Sequence, residues 1–335
     1  MKLKVTPLRV LVALVVALFV TVVVLQRIPT RTYILMPDVA HPVAPLVHIH
    51  GKPHPAGVGN LYFVDVREEK ASQLDLLFPW LHPHSSYIPA KLLLPPGKTD
   101  KAFVHIELRQ MAESQRDAAA VAEQRVGLHA IYPYGVLVQQ VAVRTDAAKK
   151  LKPADVIVAI NGRPTPTLPK LRAVMATVKP RATVTLRVLR KKVTRTVRLR
   201  TVGSRGHAFI GIAAALAAKI KLPTKVSIDA GDIGGPSAGL AFTLEVMERL
   251  GADVTHGYKV AATGVINLDG TVSAIGGVEQ KTWGVRDAGA QVFLVPVDGG
   301  NATTAEKYAG PNLKIIPVTS IGQALRALAE LPKLP

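Results

Sequence analysis

Two side chains suited to covalent and base chemistry stand in distinctive surroundings. Ser237 lies in Gly234-Gly235-Pro236-Ser237-Ala238-Gly239, behind a strand-like Val226-Ser227-Ile228 and a glycine-rich loop from Gly231 to Gly235. Pro236 suits the first turn of a helix running through Ala238 to Leu250, which places the serine at a helix N-terminus. Unpaired N–H groups and the helix dipole favour negative charge there, as a tetrahedral oxyanion requires. Lys281 closes the run Gly276-Gly277-Val278-Glu279-Gln280-Lys281 as a second helix begins. A lysine with an ordinary pKa of ~10.4 can accept a proton near neutrality only when desolvation lowers that value by several units. Val278, Trp283 and Val285 are the expected apolar wall, and a threonine hydroxyl could orient the neutral amine.

Other chemistries are less well supplied. The absence of cysteine excludes thiolate metal sites, disulfides and a cysteine nucleophile. Gly235-Pro236-Ser237-Ala238-Gly239 also satisfies G-x-S-x-G, the nucleophile elbow of α/β-hydrolases, so an esterase of that kind is the alternative enzyme. That fold needs an acid and then a histidine well downstream. The only histidine after Ser237 is His256, nineteen residues on. His48, His50, His54, His82 and His84 lack partner ligands at metal-site spacing, so no metal is expected, nor any other cofactor.

The elements around these residues complete a pattern. Val260 to Ile266 reads as a strand, the chain turns at Asp269-Gly270, and Thr271 to Ile275 returns before Gly276-Gly277. The Gly-Pro-Ser-Ala-Gly run, the Thr-Gly strand and Ile-Gly-Gly followed four residues later by Lys resemble the proteolytic domain of Lon over about residues 205 to 330. The resemblance implies a Lon-like α+β domain at 205–332, Ser237 as nucleophile, Lys281 as general base and Thr263 as a support for the lysine. Lon enzymes usually carry an acidic residue three positions before the serine, where this chain has Gly234. The oxyanion donors are then expected among the N–H groups of Gly234, Gly235 and Ser237. These 335 residues contain no G-x-x-x-x-G-K-[ST], so ATP-independent action is expected. Homo-oligomerisation also comes into view, since Lon-type domains often form rings, although no residue here dictates it.

From Gly127 to about Ser204 the order is a strand beginning Tyr134-Gly135-Val136, a short helix at Asp146–Leu151, a strand Asp155–Ile160 ending in Asn161-Gly162, a helix Leu168–Val178 and a basic hairpin. This order resembles a bacterial PDZ domain, with Ala154 standing where such domains usually carry glycine. The resemblance implies peptide capture by β-augmentation, with N–H groups near Tyr134, Gly135 and Val136 receiving a terminal carboxylate. A module that merely packs on its neighbour is the other reading. If the protease unit were inert, the chain would be a membrane-tethered PDZ adaptor.

Val10 to Leu25 is apolar except for Thr21 and is flanked by Lys2, Lys4, Arg9, Arg27 and Arg31. A cleaved signal peptide has the same basic and apolar regions, but no small-x-small site follows, so a retained single span is expected. That makes residues 1–29 a tail and anchor. The rest of the chain is then expected outside the cytoplasm, on a cell membrane. Residues 30–126 read as a mixed α/β region packing with the protease domain, containing strands at Leu46–His50 and Asn60–Arg67 and a helix from about Glu107 to Val126. That helix carries Met111, Ser114, Ala118 and Ala122 as a small-residue face, read as structural. The net charge of +19 is concentrated between Val156 and Ile228, where sixteen Lys and Arg occur without one Asp or Glu. No aromatics interleave with them, so the expected partners are protein or peptide substrates and an anionic membrane surface, not nucleic acid. The predicted class is α+β: a transmembrane helix, a PDZ-like β-rich domain at 127–204 and a Lon-type domain.

Overall fold

The computed structural model of the chain describes residues 6–51 and 60–332. Lys2, Lys4 and His54 lie outside these residues. Helix and strand are mixed throughout, as the α+β class requires.

An N-terminal helix spans Pro7–Arg27, with Pro7 in its first turn and no buried residue. Its 21 residues give a length of about 31 Å, enough by length and composition to cross a bilayer. The strand Pro29–Pro37 follows at once and pairs with Val66–Ser72 and Ser86–Pro89 in a three-stranded antiparallel sheet. The expected strand over 60–67 is two strands, Leu61–Phe63 and Val66–Ser72, in different sheets. Leu61, Phe63 and Val64 are all buried, so strict alternation fails where the chain passes between layers.

Leu61–Phe63, Val260–Ala262, Val292–Pro296 and Lys314–Val318 form a parallel sheet, with His41–Pro42 antiparallel at one edge. Against it lies Gly239–Arg249, a helix whose eleven residues are all buried. Neighbours cover every side of it, so even its polar residues Thr243, Glu245, Glu248 and Arg249 are buried. One neighbour is Asp100–Arg125, capped by Thr99 and longer at its start than the sequence implied. Its small face, including Ala118 and Ala122, allows the close approach.

A second core belongs to the sheet ordered 193–200, 183–190, 156–160, 131–141 and 212–220. Ile212–Ile220 pairs with Ile131–Val141 over its whole length, so the expected division at 204 falls within this sheet. In the basic hairpin, Arg190 turns inward and forms a two-pronged bond to the buried Asp155, both contacts at 2.7 Å. Ala154 has φ +69, the left-handed conformation that a glycine adopts without strain. Ala154→Gly is therefore expected to stabilise the chain by about 1 kcal/mol, measured as a raised denaturant midpoint.

Candidate functional site

Ser237 sits on a turn immediately before the Gly239–Arg249 helix, with Ala238 as the cap residue. Four hydrogen bonds tie this turn down from two sides. On one side the Asp100–Arg125 helix accepts the Gly235 N–H at Glu107 O (3.0 Å) and donates Ser114 Oγ to Pro236 O (3.0 Å). On the other, the Ser237 carbonyl accepts from Gly264 N–H (2.8 Å) and from Thr263 Oγ1 (3.2 Å). These bonds explain why the expected strand 260–266 is broken. Val260–Ala262 stays in the parallel sheet, and the chain then leaves it at Gly264, φ +149, to hold the serine turn.

Lys281 projects from the helix Val278–Asp287, whose glycine cap, Gly277, has φ +66. Its Nζ lies 2.7 Å from Ser237 Oγ, and the residue is 3% exposed. Burial brings the lysine pKa down from 10.5 to about 8, while Asp65 and Glu68 pull it back up. Val278 and Val285 are buried on the same helix and flank the lysine at i−3 and i+4. Trp283, expected in that wall, lies two residues on, where a helix turns its side chain away. Its ring stacks on His84 at 3.6 Å between centroids, beneath the Arg286 guanidinium.

Serine and lysine face a cleft of about 670 Å³. Leu35, Val66, Ile88 and Ile275 supply apolar wall, and Asp38, Asp65, Glu68, Glu107 and Asp232 supply acidic wall in a chain that is otherwise strongly basic. Burial, and secondarily Glu68, raises the Glu107 pKa to about 7. A Cβ added at Gly234 would lie 2.8 Å from Glu107 Cβ and 3.4 Å from its Oε2. Glu107 thus occupies the room that an acidic side chain at 234 would need. Asp38, His41 and Asp65 bring ligating atoms within 4.8 Å of one another beside this cleft, a grouping that their spacing along the chain does not show.

Two assignments change here. The Gly235 N–H is committed to Glu107, so the expected oxyanion donors narrow to the N–H groups of Gly234 and Ser237, which bond to nothing among the described residues. Thr263, buried and expected to orient the lysine, spends its hydroxyl on the Ser237 carbonyl. An α/β-hydrolase elbow is also absent: Val226–Ile228 pairs only with Val47–Ile49, and eight residues separate it from Ser237. His256 pairs with Asp253, three residues away.

Residues 205–330 match the family model described as the Lon protease (S16) C-terminal proteolytic domain. They form a Lon-type proteolytic domain. Residues 108–201 match the model of the PDZ domain. Over the Lon-type domain the chain is 34% identical across 100 residues to the Lon protease of Chloroflexus aggregans, covering 29% of this chain and 12% of that one. The Lon protease of Xanthomonas oryzae pv. oryzae is 34% identical across 102 residues, with 30% and 12% covered. The chain therefore matches about an eighth of the length of these relatives. Among solved structures, the PDZ domain of the SdrC-like protein from Listeria monocytogenes is similar at 22% identity and a TM-score of 0.23, covering 24% of this chain and 87% of that chain.

The peptide-binding residues expected in the PDZ unit need correction. Tyr134, Gly135 and Val136 lie in an interior strand: Gly135 pairs with Ala217, and Val136 pairs with both Leu216 and Ile157. No backbone edge is free there, and a Cβ on Gly135 would meet Ile157 O at 2.9 Å. The open edge belongs instead to Ile212–Ile220, on the rim of the sheet before the Lon-type core. Between that strand and the helix Leu168–Ala176 runs a groove of about 460 Å³, lined by Leu168, Leu171, Met175, Phe209, Ile210 and Ile212. Gly211, φ +83, makes the bend from which the edge strand starts. The readable signal was Phe209-Ile210-Gly211-Ile212, a glycine between apolar residues.

Proposed function

We propose that this chain is an ATP-independent serine endopeptidase, held on a membrane by its N-terminal helix, that cleaves exposed or unfolded protein segments on the extracytoplasmic side. The observation that carries the reading is the 2.7 Å contact between Ser237 Oγ and a buried Lys281 Nζ. A neutral lysine takes the serine proton as Oγ attacks a peptide carbonyl. The tetrahedral oxyanion meets the N–H groups of Gly234 and Ser237, and the resulting ammonium returns the proton to the leaving amine. Water then repeats the sequence on the acyl-enzyme. Asp65 and Glu68 steady the ammonium in between. Digestion of an unfolded protein by wild type, Ser237→Ala and Lys281→Ala tests this, and equal activity in all three would reject it.

In the same proposal the PDZ unit delivers substrate by adding a peptide to the Ile212–Ile220 edge, with apolar side chains entering the adjoining groove. Leu171→Lys puts a charge into that groove. Peptides ending in apolar residues are expected to bind about tenfold more weakly, by fluorescence anisotropy, while hydrolysis of a short reporter peptide is unchanged.

A further inference from the structure

An apolar run stands out between Leu76 and Leu81. Leu76, Leu77, Phe78, Trp80 and Leu81 are 40, 55, 36, 70 and 51% exposed. Outside the N-terminal helix, no other stretch of six described residues exposes as many large apolar side chains. Such a patch is unfavourable in water and marks a contact surface.

The run is nonetheless firmly built. Ser72 and Asp75 form a capping box on the helix Gln73–Leu77. Asp75 also pairs with His82 at 3.0 Å, and Tyr87 donates its hydroxyl to the Asp75 carbonyl. The Phe78 and Trp80 rings meet edge to face at 5.1 Å. Polar groups therefore brace the segment from within while its apolar side chains are held outward.

Its position names the partner. The carbonyl of Ile28, the first residue after the N-terminal helix, accepts the Gln73 N–H at 3.1 Å, and Thr30 Oγ1 donates to Ala71 O at 2.7 Å. The apolar run thus begins where a helix exposed along its whole length ends. Continuity of the two apolar surfaces, with a tryptophan in the run itself, is the arrangement that a bilayer interface stabilises.

We propose that Leu76–Leu81 is a second membrane contact, inserted into the interfacial layer of the leaflet from which the N-terminal helix emerges, with Trp80 at headgroup depth. This rests on the membrane-anchored reading above. Two attachments would fix how the body sits on the membrane. The fixed part includes the lysine helix, because Gln280 donates to His84 O (3.1 Å) and Ser86 Oγ (2.8 Å) just beyond the run. The cleft would then meet polypeptide close to the bilayer surface.

Trp80 and Trp283 are the only tryptophans. The full chain carrying Trp283→Phe, reconstituted in phosphatidylcholine–phosphatidylglycerol vesicles, therefore reports on Trp80 alone. With lipids brominated at the upper acyl chain, its emission is expected to fall about twofold or more relative to plain lipids. Adding Leu77→Glu and Leu81→Glu should abolish that quenching while the chain still floats with the vesicles. Equal emission in brominated and plain lipid, with flotation intact, overturns the second contact and leaves the anchor standing. So does a blue shift that depends on protein-to-lipid ratio without quenching, since a second copy would then cover the patch. Quenching that survives the double glutamate variant also overturns it, and loss of flotation in the parent overturns the anchor and this contact together.

Discussion

Lys281→Met is expected to abolish proteolysis and to make the fold more stable. The loss should be roughly 10³-fold or more in kcat/KM, because among the described residues it is Lys281 that bonds Ser237 Oγ and can take its proton. The gain follows from linkage. Burial lowers the lysine pKa from 10.5 to about 8, so between those values the unfolded chain binds more protons than the folded one. Stability therefore rises with pH across that window, and the penalty is fully present below pH 8. At 1.36 kcal/mol per pKa unit, a neutral methionine should recover up to about 3 kcal/mol at pH 7, read from denaturant midpoints. Lys281→Arg keeps a charge that cannot be removed, so it should be inactive without the gain. In the wild type, kcat/KM should rise with pH about a midpoint near 8. Asp65→Asn should move that midpoint downward, because the Asp65 carboxylate favours the ammonium form. An active or unstabilised Lys281→Met would refute the assignment.

Arg249→Met should cost about 3–5 kcal/mol, since it strips the partner from a carboxylate with no access to water. Arg249 Nε donates to Glu245 Oε1 at 2.8 Å within the helix that follows the serine turn, and Arg249 Nη2 donates to the Ala44 carbonyl at 2.5 Å. Arg249 is 3% exposed on its side chain and Glu245 is 0% exposed. The pair is incompletely satisfied, because Glu245 Oε2 and Arg249 Nη1 have no partner among the described residues. Glu245→Leu with Arg249→Met should therefore be close to neutral, within about 1 kcal/mol of wild type, and a double-variant cycle in urea reads the coupling directly. A double variant as unstable as the single one would show that the charges themselves organise this core.

The parts of the site that could be read along the chain are those that follow glycine-rich loops into a helix. Ser237 and Lys281 both do so, and the distance between them needed the fold. Glu107, Asp65 and Glu68, which line the cleft, and Ser114, which braces the serine turn, were not readable as site residues, because they come from elements more than a hundred residues earlier. Ser114 looked structural on a small-residue face, and it is that closeness which lets its hydroxyl reach Pro236. The edge strand was hidden for a different reason. Ile212-Ala213-Ala214-Ala215-Leu216-Ala217-Ala218-Lys219-Ile220 is rich in the strongest helix former, yet it is extended because pairing with 131–141 overrides propensity. Missing that strand is what misplaced the peptide edge at Tyr134–Val136. Gly264 was visible as a residue but not as a break, since only the tie to Ser237 makes the strand depart there.

The rim strand Ile212–Ile220 has a kinetic consequence. A peptide laid along this strand would be held on the same folded chain as the nucleophile, with the peptide's own free segment as the tether. For a short tether the local concentration of the attached segment is of the order of millimolar. A scissile bond would then need almost no affinity of its own for the cleft, and selection would rest on what the rim captures. Turnover would be governed by how long the peptide dwells there, and near neighbours of the captured end would be cut in preference to distant sites.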